Sequence, residues 1–171
     1  ALNWLQLNQN EDGSWGSSPH KQTLTALATM AFISQGETTS SEAYGKTVAK
    51  GLKWVLNQIK TAQPDQRFTT REEVMAIWCL AEAYHMTRIP ALKQAFPDDL
   101  NLLLVENATP WHLLAWEAIQ RTGVQEISAQ KSFPDYASRM SADSDIIARE
   151  AAQTAPPHAP ILYALENVTP L

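Results

Sequence analysis

The sequence of 171 residues contains a single cysteine, Cys79, and this scarcity limits its chemistry. One cysteine cannot form a disulfide within the chain. Cys79 lies inside the apolar run from Val74 to Ala81, a setting typical of a buried, unreactive thiol rather than of a nucleophile or a metal ligand. We therefore expect Cys79 to be a core residue.

Long hydrophobic runs and dense basic runs are also missing. The run from Val74 to Ala81 is the longest that is wholly apolar, and it is far shorter than the roughly 20 residues that span a bilayer. The sequence therefore predicts no transmembrane helix. A net charge of -5 without clustered Lys or Arg argues against a nucleic-acid surface, which normally carries a basic patch. The remaining composition is ordinary for a globular protein, so residues 1–171 are expected to form one domain.

Two kinds of helical segment alternate along the chain. Residues 42–60 carry apolar side chains on one stripe and lysines opposite, which is typical of an outer, surface-facing helix. Residues 90–105 and 133–154 are less regular and are assigned to the same outer layer. Other segments are apolar nearly all round, which favours inner helices buried on several sides. These inner segments are residues 20–35, 70–86, 110–122 and 159–168.

This alternation predicts an all-α protein built from about four hairpins, each pairing an outer with an inner helix. No single hairpin can bury its apolar surface alone, so a stack of neighbouring hairpins is the expected packing. Residues 50–58 partly repeat residues 1–9, which indicates a period of about 50 residues. The expected hairpins are residues 1–36, 42–87, 90–123 and 132–170.

The most specific pattern lies in residues 1–16, ALNWLQLNQNEDGSWG. Trp4 and Leu5 are expected to face the interior at the end of a helix. Gln9 can both donate and accept hydrogen bonds, so we expect it to bridge helix-end carbonyls to the N–H groups of a neighbouring helix.

A tight turn is predicted directly after this helix end. Asp12 and Gly13 form a turn pair in which the aspartate bonds to its own backbone and the glycine takes a positive φ. The indole of Trp15 can then cover the Gln9 amide and shield its bonds from water. We interpret Gln9, Asp12, Gly13 and Trp15 as a structural motif rather than as an ordinary polar loop.

The spacing of this motif resembles the glutamine–tryptophan (QW) repeat of the squalene cyclase and prenyltransferase superfamily. Members of that superfamily wind paired helices into a ring called an α/α toroid. The resemblance extends over roughly residues 1–125 and looks like bacterial proteins that contain prenyltransferase and squalene oxidase repeats. It implies a partial or open toroid here, since four hairpins are too few for a closed ring. It also implies a fragment or processed part of a longer chain, because Ala1 falls inside a repeat.

The catalytic residues of the characterised relatives are not matched. Squalene–hopene cyclases carry an Asp-x-Asp-Asp-Thr-Ala acid motif, and the nearest stretch here has Asp143 and Asp145 but Ile146 in place of the third acid. We interpret Asp143 and Asp145 as helix-start residues. Prenyltransferase β subunits bind zinc through Asp, Cys and His, and Cys79 on its apolar run provides no such set. The sequence therefore predicts no catalytic residue, no metal and no cofactor.

A ligand site is instead expected where the N-terminal ends of the inner helices converge on the middle of a toroid. The positive ends of helix dipoles favour anions or polar ligand groups there. Each candidate also has a structural interpretation, since acids stabilise helix starts and most histidines are satisfied surface or core residues. No metal-ligand spacing links them. The candidates are His20, Glu72, Glu73, Trp111 and His112.

These features leave three hypotheses for function. The first, which we favour, is a non-catalytic repeat domain that binds a protein or another polymer. The second is a terpenoid cyclase or prenyltransferase-like enzyme that acts on an isoprenoid, with tryptophans lining an apolar pocket and part of the active site outside this chain. The third is a fragment of a larger toroid. An open arc would expose apolar flanks, so we also expect self-association or contact with another domain, and an apolar small molecule is an alternative ligand.

Overall fold

The computed structural model describes residues 1–62, 68, 70–103 and 109–124, and every regular element in these ranges is helical. The prediction of an all-α protein is thus confirmed for the described part of the chain. Two short 3₁₀ turns lie between the fourth and fifth α-helices, at Leu92–Ala95 and Leu100–Leu103. The hairpin expected at residues 132–170 lies outside the described residues. The α-helices are α1 (Leu2–Leu7), α2 (Lys21–Ile33), α3 (Gly45–Thr61), α4 (Arg71–Thr87) and α5 (Pro110–Thr122).

Helix α4 begins at a threonine cap and ends at a residue in the left-handed conformation. Its first turn contains Glu72 and Glu73, and the hydroxyl of Thr70 accepts a hydrogen bond from the Glu73 backbone N–H at 3.3 Å. Such a cap satisfies one of the N–H groups that every helix leaves unpaired at its start. The helix ends at Arg88, which takes a left-handed conformation with φ of 55°.

Helix α5 is delimited by a proline and a glycine. Pro110 occupies its first position, where the missing N–H costs nothing, and Thr109 precedes it as the N-cap. Gly123 ends the helix with φ of 67°, a conformation that glycine adopts without a steric penalty. Both residues confirm the predicted limits of this helix.

The described inner helices form a row in which α4 lies between α2 and α5. Helix α3 packs over both α2 and α4, and the turn Leu92–Ala95 also contacts α3 and α4. Because α4 has neighbours on so many sides, it buries every residue from Glu73 to Ala81. Helix α3 buries one stripe and exposes its lysines. Helix α3 is therefore one-sided, whereas α4 is buried along most of its length.

The relative directions of the helices follow from contacts at their ends. At the starts of α4 and α5, the Arg71 guanidinium carbon lies 6.0 Å from the centre of the Trp111 ring. At their ends, Arg88 Nη1 donates a hydrogen bond to the Thr122 carbonyl at 2.6 Å. The two helices are therefore parallel, and both N-terminal ends lie on the same side of the molecule.

Helices α2 and α3 run antiparallel. The Phe32 ring, near the end of α2, lies 5.3 Å from the ring of Tyr44, which directly precedes α3. The ammonium group of Lys21, at the start of α2, lies 5.8 Å from the centre of the Trp54 ring, farther along α3. Helices α2 and α3, which follow one another in the chain, thus form an antiparallel pair.

Two expectations about the first hairpin are wrong in detail. Trp4 was expected to face the interior, but 64% of its surface is exposed. Helix α2 was expected to be buried on several sides, yet Leu24 and Leu27 are also exposed. The reason is that α1 has six residues and contacts only a small part of α2, so one side of α2 is left uncovered.

The predicted QW-like turn fixes α1 to its surroundings through two donors. Gln9 Nε2 donates to the Gly13 carbonyl at 2.9 Å and to the Thr47 carbonyl, on α3, at 3.0 Å. Trp15 Nε1 donates to the Leu5 carbonyl, on α1, at 2.7 Å. Gln9 thus joins the turn to the neighbouring helix as predicted, although it does so by donating to two carbonyls rather than by bridging carbonyls to N–H groups.

Asp12 joins the turn to both α2 and α3. Its carboxylate accepts from the Ser14 backbone N–H at 3.0 Å, which confirms the predicted bond of the aspartate to its own turn. It also accepts from Lys21 Nζ at 2.7 Å and from Trp54 Nε1 at 3.2 Å. The bonds from Lys21 and Ser14 hold the pKa of the Asp12 carboxyl well below its ordinary value.

Two glycines are required where backbones approach closely. Gly13 has φ of 92°, as predicted, and a Cβ there would lie 2.7 Å from the Lys50 carbonyl oxygen. A Cβ on Gly51, in α3, would lie 2.5 Å from Thr29 Oγ1 and 3.1 Å from the nearest carbon of the Trp15 ring. The absence of a side chain at Gly51 therefore sets how closely α3 packs on α2.

Replacing Gly51 with alanine should destabilise the protein. Alanine normally stabilises a helix relative to glycine by about 1 kcal/mol, but here the new methyl group must displace Thr29 and the Trp15 ring. We expect Gly51→Ala to lower the free energy of unfolding by about 1–2 kcal/mol, as overpacking does. Urea denaturation followed by circular dichroism measures it. Asn57→Ala, at an exposed position of the same helix, should change stability by less than about 0.5 kcal/mol, and a stabilised Gly51→Ala would contradict the close approach.

Replacing Asp12 with asparagine should remove a pH-dependent contribution to stability. Because the pKa of Asp12 is lower in the folded protein than in the unfolded chain, its contribution is present above the unfolded pKa of about 3.9 and is lost as the pH falls toward the folded pKa. We expect Asp12→Asn to have a lower denaturation midpoint than the wild type at pH 7, with a smaller difference at pH 3. Equal differences at both pH values would show that the Asp12 charge contributes nothing.

Candidate functional site

The starts of α4 and α5 lie side by side and carry four of the five predicted site residues. Glu72 is half-buried and Glu73 is buried in the first turn of α4. Trp111 and His112 are buried in the first turn of α5. His20 directly precedes α2, where it is exposed and caps no backbone group. The structure thus places His20 on the surface.

His112 is fixed by the backbone that precedes its helix. Its Nδ1 accepts a hydrogen bond from the Thr109 backbone N–H at 3.0 Å. A ring nitrogen that accepts carries no proton, so the proton of the neutral imidazole is on Nε2. Only 2% of His112 is exposed, and among the described residues Nε2 has no hydrogen-bond partner. His112 therefore presents a buried and unused donor.

The environment of His112 keeps its imidazole neutral. Burial lowers the pKa of His112, because a charged ring loses its hydration there, and the nearby backbone groups of Phe68 and Thr109 only partly oppose that shift. Phe68 lies just before α4 in the chain and has a positive φ of 70°. Its backbone therefore locates the His112 ring next to the start of α4.

Trp111, in α5, provides a second buried donor beside α4. Its ring lies 6.0 Å from the ring of Trp78 and 6.0 Å from the Arg71 guanidinium carbon. Trp111 is 7% exposed, and its Nε1 has no partner among the described residues. In contrast, Trp78 Nε1 donates to a Glu82 carboxylate oxygen at 3.2 Å. A buried donor without a partner costs about 1–3 kcal/mol, so the pair at Trp111 and His112 is expensive for the fold.

Glu73 lies apart from the Trp111 ring. Its Oε2 atom is buried without a partner among the described residues. Glu73 follows Arg71 by two positions, which corresponds to a rotation of about 200° around a helix. Since Arg71 lies beside Trp111, helix geometry puts Glu73 on the side of α4 turned away from α5. Glu73 therefore lies apart from Trp111, and Arg71 is a neighbour of Trp111 that the sequence did not single out.

Metal and thiol chemistry find no support in the part of the chain that the structure describes. No group of three His, Cys, Asp or Glu side chains there could hold a metal ion. Cys79 is fully buried in α4, and burial raises the pKa of its thiol, as expected for an unreactive core cysteine. Asp143 and Asp145 lie outside the described residues.

A second feature, on the opposite side of α2 from α4, was missed by the sequence analysis. A groove of about 670 Å³ runs between α1, α2 and the turn that joins them, which contributes Asn10, Trp15 and Gly16. Around it, Trp4, Leu24 and Leu27 are exposed, and we call these three residues the α1–α2 flank. None of the residues lining the groove is charged: they are Trp4, Leu5, Asn8, Asn10, Trp15, Gly16, Leu24, Leu27, Ala28 and Ala31.

Comparison of the chain with protein-family models, with curated proteins and with solved structures finds no match. The resemblance to QW repeats therefore stays a prediction carried by the motif in residues 1–16. Within the described residues, no helix is both long enough and apolar enough to cross a membrane.

Replacing His112 with glutamine should flatten part of the pH dependence of stability. The pKa of His112 is lower in the folded protein than in the unfolded chain, so its contribution is complete above the unfolded pKa of about 6.5 and is lost as the pH falls below it. We expect the wild type to lose more stability than His112→Gln between pH 7.5 and pH 5 in urea denaturation. His20→Gln, at the exposed histidine, is the control and should follow the wild type. A His112→Gln curve parallel to the wild type would contradict the burial argument.

Proposed function

We propose that this chain is a non-catalytic interaction module of the α/α-repeat type, an open arc of a toroid, which pairs with a second copy of itself through the α1–α2 flank. The observation that supports it is the uncharged apolar groove of about 670 Å³ bordered by exposed leucine and tryptophan side chains. Contiguous apolar surfaces of this kind mark interaction sites on soluble proteins.

The position of the groove in the stack supports an interface rather than an internal site. Each described inner helix needs neighbours for its apolar sides, and α4 has α2 on one side and α5 on the other. Among the described elements, α2 packs against α4 and α3, and its remaining side meets only the short α1. An added helical surface at the α1–α2 flank would continue the packing that already joins α2 to α4.

The shape and charge of the flank favour a second copy as the occupant. Trp4 borders the groove and is 64% exposed, so one surface carries both a protruding apolar side chain and a groove to receive it. Self-complementarity of this kind is what a two-fold symmetric dimer requires. The chain has a net charge of -5, which makes two copies repel each other, and an uncharged contact surface keeps that repulsion away from the interface.

The alternative from the QW resemblance is a terpenoid cyclase or prenyltransferase-like enzyme. The interaction module needs two copies that pair, whereas a reaction on squalene or a prenyl diphosphate does not depend on pairing of two copies. Product formation from either substrate by a monomeric chain would favour this enzyme over the interaction module.

Introducing a charge at Leu24 should separate the dimer. A carboxylate buried between two apolar surfaces loses its hydration without a partner, so the dissociation constant of Leu24→Glu should rise at least tenfold, or about 1.4 kcal/mol. Sedimentation velocity over a range of protein concentrations measures it. Met86→Glu is the matched control, because Met86 is also 43% exposed but lies near the end of α4, outside the flank. It should dimerise like the wild type.

Two results would overturn the proposed interface. A wild-type chain that stays monomeric at the highest concentration tested has no such pairing. Equal weakening by Leu24→Glu and Met86→Glu would show that the charge acts without regard to the α1–α2 flank. Circular dichroism of both variants checks that each remains folded, so that a change in mass reports on pairing alone.

A further inference from the structure

Helix α3 carries a stripe of lysines that the proposed dimer does not use. Lys46, Lys50 and Lys53 are separated by four and three positions, so helix geometry places them within about 60° of one another around the axis. Asn57 and Lys60 continue the same stripe, which is about 21 Å long at the rise of an α-helix. All five residues are exposed. Buried residues stand between the lysines in the sequence, so the stripe forms only when the helix does.

The positive charge of this stripe is not neutralised within the helix or by ion pairs around it. Helix α3 contains no aspartate or glutamate. Among the described residues, Lys46, Lys50 and Lys53 form no ion pair, whereas Lys21, at the start of α2, is paired with Asp12 at 2.7 Å. Three neighbouring ammonium groups therefore lack a counter-charge in the part of the chain that the structure describes.

These charges oppose the stability of the helix that carries them. Lys46 and Lys50 are four positions apart, and Lys50 and Lys53 are three apart, which are the spacings at which like charges repel on a helix. Lys46 also lies in the first turn of α3, at the positive end of the helix dipole, and that turn contains no acid. Since local helix energetics disfavour this pattern, complementarity to an anionic partner is the better explanation.

We propose that the α3 stripe is a docking surface for an acidic helical segment of another protein, whose carboxylates face Lys46, Lys50 and Lys53 in turn. Glutamates that recur every three or four positions form a stripe with the same spacing as these lysines. Two helices lying side by side can then pair charges along their length, as flanking positions do in coiled coils.

An acidic helix fits this stripe better than a membrane or a nucleic acid does. The apolar side chains of α3, such as Val48, Leu52 and Val55, are buried in the core, so none of them can insert into a lipid layer. The chain has a net charge of -5, which repels an extended anionic surface of either kind. A single helix meets the stripe alone, because salt screens exposed charges that lie more than about 10 Å away.

An alanine-based peptide of about 15 residues, with glutamates at i, i+4 and i+7 spacing, is the probe for the test. Fluorescence anisotropy of the labelled peptide should show saturable binding to the full chain at low ionic strength, and added salt should weaken it. Two control peptides separate charge from spacing. One has glutamine in place of each glutamate, and the other has the same glutamates spread around the helix. Each should bind at least fivefold more weakly.

Variants locate the binding on α3. Lys53→Glu replaces attraction with repulsion in the middle of the stripe and should raise the dissociation constant at least tenfold. Lys93→Glu is the matched control, because Lys93 is exposed in the turn Leu92–Ala95, outside α3, and its replacement changes the net charge equally. Its affinity should stay within twofold of the wild type.

Lys46→Glu separates binding from folding. It places an acid in the first turn of α3, where acids stabilise a helix, so its urea denaturation midpoint should not fall below that of the wild type. Its affinity for the peptide should nevertheless fall at least fivefold. A folded Lys46→Glu that binds as tightly as the wild type would remove Lys46 from the site.

Several outcomes would overturn the docking surface. One is the absence of saturable binding by the wild type. Another is equal affinity for the aligned and the spread peptide, which would show diffuse attraction without the stripe. A third is equal weakening by Lys53→Glu and Lys93→Glu. Co-sedimentation of the wild type with phosphatidylserine vesicles, without binding of the peptide, would assign the stripe to a membrane surface instead.

Discussion

The structure depends on the burial of α4, because an apolar helix without a polar face is stable in water only when other elements surround it. Helices α2 and α5 cover two of its sides, and α3 and the turn Leu92–Ala95 cover others. This one requirement places the inner helices in a row and puts the helix with lysines, α3, on the outside. The separate contacts at Gly51 and Asp12 then fix distances and directions within that arrangement.

Local signals in the sequence were sufficient for the elements themselves. The Thr70 cap, Pro110 and Gly123 act within one turn of the chain, so their effects can be predicted without knowledge of any neighbour. The same holds for the bond within the turn at Asp12 and for the positive φ of Gly13. The burial of α4 could also be predicted, since its composition allows no other environment.

Contacts between distant residues could not be predicted in the same way. Trp4 and Leu24 are apolar, and an apolar residue is buried only if a neighbouring element covers it; α1 is too short to do so. The neighbourhood of Arg71 and Trp111 depends on the parallel packing of α4 and α5, which no local pattern encodes. Glu73 and His112 both occupy the third position of a helix. Only the packing shows that the His112 ring lies next to the backbone of Phe68, just before α4, whereas Glu73 lies on the side of α4 turned away from α5.

The parallel alignment of α4 and α5 has an electrostatic consequence for the molecule as a whole. Each helix has a dipole, and two dipoles that point the same way add, so the backbone of this helix pair has a positive and a negative end. The charged side chains oppose this polarity: Glu72 and Glu73 lie at the positive end, and Arg88 and Arg121 lie at the negative end. Arg88, which ends α4, donates a hydrogen bond to the last carbonyl of α5. The side-chain charges at the two ends of this helix pair therefore offset the combined dipoles, and Arg88 does so for the neighbouring helix as well as for its own.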